Sequence, residues 1–311
     1  MPLVFIVLIS VIGSLILLFV IFFIVNGAIF TKLSFRRRIG DKDFAKNEDK
    51  KAKEAPDRIW YFSKQLEEIN LITRDKLNLK GYLLSNNSNK LAILVHGYHG
   101  RYYSVVTQAR IFFELGYDVL CINDRCHDTS EGKYFTMGKF ESLDTLEWIN
   151  LMLERNPNYQ IVLYGISMGG HIVLQTAAKE NLRPEVKCII SDCAYNSLKK
   201  QLVQVTRQSP AIFPKMVVDL AELYSRIFYH FDYSHPLDKT LKNVKVPLCL
   251  IHGTNDHYVF TKNMDEIYDS IPENIHKEKH YFEGSGHTRS VLDNPKKYRE
   301  IVKNFTDKFV K

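Results

Sequence analysis

Three residues in this 311-residue chain have the types and the order that nucleophilic acyl chemistry needs. They are Ser167 in "LYGISMGG", Asp256 in "HGTNDHYV" and His287 in "GSGHTRS". A serine hydroxyl is a poor nucleophile until a base removes its proton. A histidine can be that base, and a carboxylate can hold the imidazole in the useful tautomer and stabilise the imidazolium. Ser167 stands between glycines in a G-x-S-x-G pattern, which lets a tight strand-to-helix turn lift the hydroxyl clear of a sheet. Each residue also has a plain reading: a glycine-rich turn for Ser167, a turn-capping aspartate for Asp256, a surface histidine for His287.

Acyl transfer also needs two backbone N–H groups aimed at the charge that develops on the carbonyl oxygen. The residue after the serine, Met168, supplies one candidate. Tyr98, in the "HGYHG" that ends an earlier apolar run, supplies the other. Asp192 is the rival acid, because it follows the strand before the one that precedes Asp256. The neighbours His127 and Asp128 have no companion ligands at metal spacing, so neither a metal nor another cofactor is expected.

The elements that would position these residues are legible from hydropathy. From residue 70 onward, buried apolar runs alternate with amphipathic stretches. "NLITRDKLNLKGYLLS" reads as a leading hairpin turning at Arg74-Asp75-Lys76. "LAILVHG", "YDVLCIND", "YQIVLYG", "VKCIISDC", "VPLCLIHG" and "KEKHYFEG" read as strands, with helices between them and a closing helix at the C-terminus. One of these helices is expected at "SLDTLEWINLMLER", with Ser142 as its N-cap. Strands of this kind separated by helices form a parallel sheet covered on both faces. In such sheets ligands bind beyond the carboxyl ends of the strands. Ser167, Asp256 and His287 each follow a strand, as does the "HGYHG" loop.

Taken together, the chain resembles the α/β-hydrolase superfamily, and is similar to its serine-aminopeptidase-like and acyl-esterase-like bacterial branches with an N-terminal membrane anchor. The matching stretches are "TRDKLNLKGYLL", "HGYHG", "DRCHDTSEGKYFTMG", "YGISMGG", "SDCAYNS", "HGTNDHYV" and "GSGHTRS", over about residues 70–311. The resemblance implies Ser167, Asp256 and His287 as a triad and Tyr98 and Met168 as oxyanion donors. It implies a leading β-hairpin, a mostly parallel doubly wound sheet and a small helical cap at about 195–240. Three positions depart from it. Cys126 and Asp128 replace small residues in the loop after the second parallel strand, and Phe260 stands where proline is usual.

Outside that region the chain has a different character. Residues 1–30 carry no charged side chain, and residues 31–54 hold nine Lys and Arg against five acids. About 20 apolar residues suffice to span a bilayer. No basic residue precedes the apolar core, which is far longer than a signal peptide's, so an uncleaved membrane helix is expected over 1–30. A basic juxtamembrane linker and short helix follow over 31–65, with Ile59, Trp60 and Phe62 on the helix, and the hydrolase domain over 66–311. Lys32, Arg36, Arg37 and Arg38 directly after the span place the bulk of the chain in the cytoplasm by the positive-inside rule.

That local excess accounts for much of the net charge of +7, which argues against a nucleic-acid-binding face. The five cysteines fit free thiols in a reducing compartment. The expectation is therefore a single-pass, membrane-anchored serine hydrolase acting on a small acyl ester, a lipid or a peptide. A peptidase-like activity is one alternative, and a non-catalytic membrane-tethered binding protein on the same fold is the other. A haloalkane-type reaction would need a carboxylate where Ser167 stands. The oligomeric state is open.

Overall fold

The computed structural model describes residues 3–36, 56–208 and 213–311. Within them the chain forms two compact units. One comprises Met1–Arg36 with Leu198–Ser234, and the other Arg37–Ser197 with His235–Lys311.

The first unit is helical. Helix α1 runs from Leu3 to Phe35, five residues beyond the uncharged stretch. Its 33 residues make roughly 50 Å of helix. It is long and apolar enough to cross a membrane. Residues 3–22 are exposed on every side, whereas Gly27, Thr31 and Phe35, spaced by four, are buried. The linker expected after it lies largely at 37–55, outside the described residues.

The second unit opens with α2 (Pro56–Phe62), whose Arg58 and Tyr61 are buried. Trp60 packs edge-on against Phe113 at 5.5 Å. This short helix therefore packs on the domain, the default for an amphipathic helix. Strands β1 (Glu67–Ile72) and β2 (Asn78–Leu84) pair antiparallel, Ile72 opposite Asn78. Lys76 takes a positive φ of 65° in the turn between them, as the sequence predicts of a hairpin there.

The remainder alternates: β3 (Lys90–Val95), α3 (Val106–Glu114), β4 (Asp118–Ile122), α4 (Glu141–Arg155), β5 (Gln160–Ile166), α5 (Met168–Ala177) and β6 (Val186–Asp192). Helices α6 (Leu198–Arg207) and α7 (Pro214–Tyr229), in the segment read as a cap, belong to the first unit. The second unit resumes with α8 (Leu237–Thr240), β7 (Leu248–Gly253), α9 (Lys262–Ser270), β8 (Lys277–Phe282), α10 (Ser290–Asp293) and α11 (Pro295–Phe309).

The eight strands form one sheet in the order β1-β2-β4-β3-β5-β6-β7-β8. From β4 through β8 every pairing is parallel. The central strands read as unbroken apolar runs because both faces are covered, and Ile161, Val162, Leu163 and Tyr164 of β5 are wholly buried. Each such aliphatic side chain contributes about 2 kcal/mol. Successive connections leave β3 toward β4 and then return past it to β5. The order therefore reverses at β3 and β5, and the carboxyl ends of these two strands frame the crevice where such sheets bind ligands.

Helix α4 differs from its sequence expectation. It begins at Glu141, and Ser142 lies inside its first turn with its hydroxyl donating to Lys139 O at 3.0 Å. The incoming chain is held instead by the Glu141 carboxylate, which accepts from Thr136 N at 2.7 Å and Gly138 N at 2.8 Å. A carboxylate in the first turn meets both the unpaired N–H groups and the positive end of the helix dipole.

Candidate active site

Ser167 occupies the single residue between β5 and α5. Its backbone sits at φ 56°, ψ −114°, a conformation that costs a non-glycine residue about 1–3 kcal/mol. Two hydrogen bonds hold it there: Ser167 N donates to Asp192 O at 2.8 Å, and His171 N donates to Ser167 O at 3.1 Å. Helix α5 can approach the sheet this closely because of Gly169. A Cβ there would lie 2.2 Å from Val95 O, in the backbone of β3.

The turn aims the serine hydroxyl at a histidine. Ser167 Oγ lies 2.8 Å from His287 Nε2, and His287 Nδ1 lies 2.7 Å from Asp256 Oδ2. His287 follows β8 and Asp256 follows β7, so the three residues follow three different strands, all at the carboxyl edge of the sheet. The arrangement requires Nδ1–H on His287, donating to Asp256 and leaving Nε2 to accept from the serine. The second oxygen of Asp256 accepts from Tyr258 N at 2.9 Å and Val259 N at 2.8 Å. Burial works against ionising Asp256, but hydrogen bonds from His252 and His287, the His287 charge and the Val259 amide outweigh it and hold the carboxyl well below its usual range.

Met168 is the first residue of α5, where backbone N–H groups have no partner within the helix. The "HGYHG" loop passes beside the serine: a side chain at Gly97 would start 3.4 Å from Ser167 Cβ. Tyr98 is the next residue, and its ring packs near His99 at 3.9 Å and Phe135 at 5.7 Å. His96, at the end of β3, ties this loop to the one after β4. Its Nδ1 lies 2.8 Å from Gly97 O and its Nε2 accepts from Asp124 N at 3.2 Å. Burial pushes His96 down to about 4, so its imidazole is neutral.

Asp192, the rival acid, does not reach His287. Its carboxylate accepts from Tyr298 OH at 2.8 Å, and that hydroxyl stands 3.0 Å from Tyr164 OH. Burial first, only partly offset by Tyr298, raises Asp192 to about 6. Its contribution to the site is the backbone carbonyl that fixes Ser167.

Cys126 and Asp128, the departures in the loop after β4, both take positive φ, 66° and 45°. The small residues usual there suit that conformation, and this chain adopts it without them. The loop is clamped by Arg125, which donates to both oxygens of Asp144 at 2.6 and 2.7 Å and to Asp75 of the hairpin turn at 2.9 and 3.2 Å.

Two neighbours escaped the sequence reading. His252, the penultimate residue of β7, brings Nε2 to 3.1 Å from Asp256 Oδ2 and 2.9 Å from Val259 O. Its signal was present in "CLIHG", but a strand-end histidine reads as core filler. Cys193, directly after β6, has its sulfur within 4.8 Å of ligand atoms of Asp256 and His287. Three such donors could meet a metal. However, burial and the charges of Asp192 and Asp256 push the Cys193 thiol far up, so it keeps its proton. Asp256 and His287 are already bonded to each other. The donor set suits a proton relay better than a metal.

A family model described as alpha/beta hydrolase fold matches residues 92–223, which include Tyr98, Ser167 and Met168. The chain is 23% identical over 235 residues to the uncharacterized protein YqkD of Bacillus subtilis strain 168, covering 74% of this chain and 75% of that protein. It is 25% identical over 253 residues to Protein bem46 of Schizosaccharomyces pombe, covering 78% and 77%. Among solved structures, the Pyrococcus furiosus esterase Pf2001 aligns with a TM-score of 0.68 at 23% identity, over 81% of this chain and 93% of that one. The esterase EaEST from Exiguobacterium antarcticum aligns with a TM-score of 0.57 at 16% identity, over 78% and all of its own length.

Proposed function

From the premise that this chain has an α/β-hydrolase fold, we propose that it is a membrane-anchored serine hydrolase that cleaves an ester, thioester or amide through an acyl-enzyme intermediate. The observation that carries this reading is the 2.8 Å approach of Ser167 Oγ to His287 Nε2, made from a strained backbone. Strain of this kind persists where the surrounding structure over-determines it, and it collects at working sites.

In the proposed reaction, His287 Nε2 takes the Ser167 proton as Oγ bonds to the substrate carbonyl carbon. The charge that develops on the carbonyl oxygen is met by the N–H groups of Met168 and Tyr98, the first aided by the α5 dipole. Asp256, kept ionised, stabilises the imidazolium and holds its ring. His287 then returns the proton to the departing alcohol, thiol or amine, leaving acylated Ser167. Water enters, His287 takes its proton, and the acid is released with the serine restored.

The preference for an ester takes its direction from the esterases that share the fold. Helix α1 is the proposed anchor, and the basic residues after it set the proposed cytoplasmic side. Hydrolysis by the full chain across p-nitrophenyl esters of graded acyl length and aminoacyl amides tests the reaction class. Ester turnover that is lost in Ser167→Ala supports it, and turnover unaffected by that change refutes it. Protease protection of a C-terminal tag in sealed vesicles tests the side.

A further inference from the structure

The segment inserted between β6 and β7 carries a surface that the proposed chemistry does not use. On α7, Met216, Leu223 and Ile227 share one face at helical spacing and are all exposed, Ile227 by 52%. Phe213 at the helix N-cap, 62% exposed, and Phe228 flank them. The other sides of α7 are committed. Val218, Ala221, Glu222, Tyr224 and Ser225 are buried, and Lys215, Asp219 and Arg226 form a polar side. Lys199 of α6 holds both the buried Glu222, at 2.6 Å, and Asp219, at 2.7 Å.

The inward side packs on α1, and where it does so identifies what covers the exposed one. Residues 3–22 of α1 are all exposed and already make about 30 Å of apolar helix, the thickness of a bilayer's hydrocarbon core. The buried residues of α1 and its side-chain contacts with α7 lie beyond that length. Phe23 meets Tyr224 at 6.2 Å, and a Cβ at Gly27 would lie 2.5 Å from Tyr224 Cβ. Thr31 Oγ1 lies 3.2 Å from Ser225 Oγ, and Phe35 packs on Phe231 and Tyr233 at 5.2 and 5.1 Å. The α1 segment that carries α7 also bears the first charge, Lys32, where an anchoring α1 would leave the hydrocarbon.

We propose that α7 lies in the interfacial layer of the same bilayer that α1 spans, with Met216, Leu223 and Ile227 turned to the acyl chains. Its apolar stripe and the exposed apolar surface of α1 belong to the same compact unit. Lys215 and Arg226 stand on the polar side that would face headgroups, and the tyrosines of α7 are of the type enriched at that depth. The sheet is then attached to the membrane at a second place, through the chain on either side of the insertion, at Ser197 and His235. This rests on the anchor part of the proposed function and not on the catalytic part.

The test uses the full chain reconstituted in phosphatidylcholine vesicles with bromine-substituted acyl chains. The described cysteines are all buried, so one introduced cysteine can carry an environment-sensitive fluorophore. The labelled variants are Leu15→Cys on α1, Leu223→Cys and Ile227→Cys on the stripe, and Lys215→Cys on the polar side. Phe213→Cys, at the cap, adds a stripe position whose label leaves the α7 body intact. The expected result is a blue-shifted emission and loss of emission to the bromolipid at positions 15, 213, 223 and 227, but not at 215. If position 15 is quenched while 213, 223 and 227 behave like 215, the inference fails and the anchor stands. If no position is quenched, both fail. If the stripe is shielded from aqueous iodide but not quenched by bromolipid, a protein surface or a second copy covers it, and the inference is overturned.

Discussion

His252 Nε2 lies 3.1 Å from Asp256 Oδ2, the oxygen that also faces His287 Nδ1 at 2.7 Å. One carboxylate oxygen thus faces two imidazoles, while the other takes two backbone amides. An acid so surrounded is both ionised and immobile, which is what orienting a histidine base requires. Replacing the charge while keeping the shape isolates that role. Asp256→Asn is expected to lower kcat for an activated ester by about 10⁴, with folding retained. Steady-state kinetics measure this, and a loss below tenfold would contradict the assignment.

The approach of α5 to β3 sets a second expectation. Gly169→Ala would place a methyl 2.2 Å from Val95 O, which is backbone and cannot turn aside. The helix must then move off the sheet, at a cost above about 3 kcal/mol, and Ser167 moves with it. A thermal unfolding midpoint within a degree or two of the parent would show that the contact is looser than described.

His171 gives a pH dependence whose sign is fixed. Its Nδ1 lies 2.9 Å from Tyr195 O, its ring stacks on Tyr195 at 4.4 Å, and burial pushes it down to about 4. The folded state therefore favours the neutral form, while the unfolded chain takes up a proton near 6.5. The stability it contributes is present above about pH 6.5 and is lost as pH falls toward 4, about 3 kcal/mol in all. His171→Gln removes this share. The stability difference between parent and variant should shrink by about that amount between pH 7 and pH 4, with part of the loss reached by pH 5. Chemical denaturation of both proteins across that range checks it, and parallel curves would count against it.

Packing of α1 on α7 depends on a missing side chain. Gly27→Leu would drive its Cβ to 2.5 Å from Tyr224 Cβ, near the root of that side chain. Limited proteolysis of the reconstituted full chain should then cut within residues 198–234 several times faster than in the parent. Equal cutting rates would mean that the two helices are not packed as described.

Much of this was readable in the chain because its signals are local. The central strands β3–β7 are apolar on both faces, so five runs stand out, and the loop after each is its own marker. Ser167, Asp256 and His287 follow three of the strands, and the structure brings them within hydrogen-bond distance. What local pattern cannot carry is pairing across the fold. The choice between Asp192 and Asp256 turns on Tyr298, 106 positions further on. His252 and Cys193 were visible as residues but had no assignable partner. Ser142 looked like a cap by type, yet Glu141 reaches the turn that holds the helix start. The grouping of residues 198–234 with α1 was hidden for another reason. Gly27, Thr31 and Phe35 lie on one face of a helix that is apolar all round, so no periodicity marks them.

The most direct test of the account is where an active-site serine probe attaches. A fluorophosphonate incubated with the full chain, followed by peptide mass analysis, should place one phosphonyl adduct on Ser167. The adduct should be absent in Ser167→Ala and form far more slowly in His287→Ala. An adduct on another residue, or labelling undiminished in Ser167→Ala, would contradict the central claim.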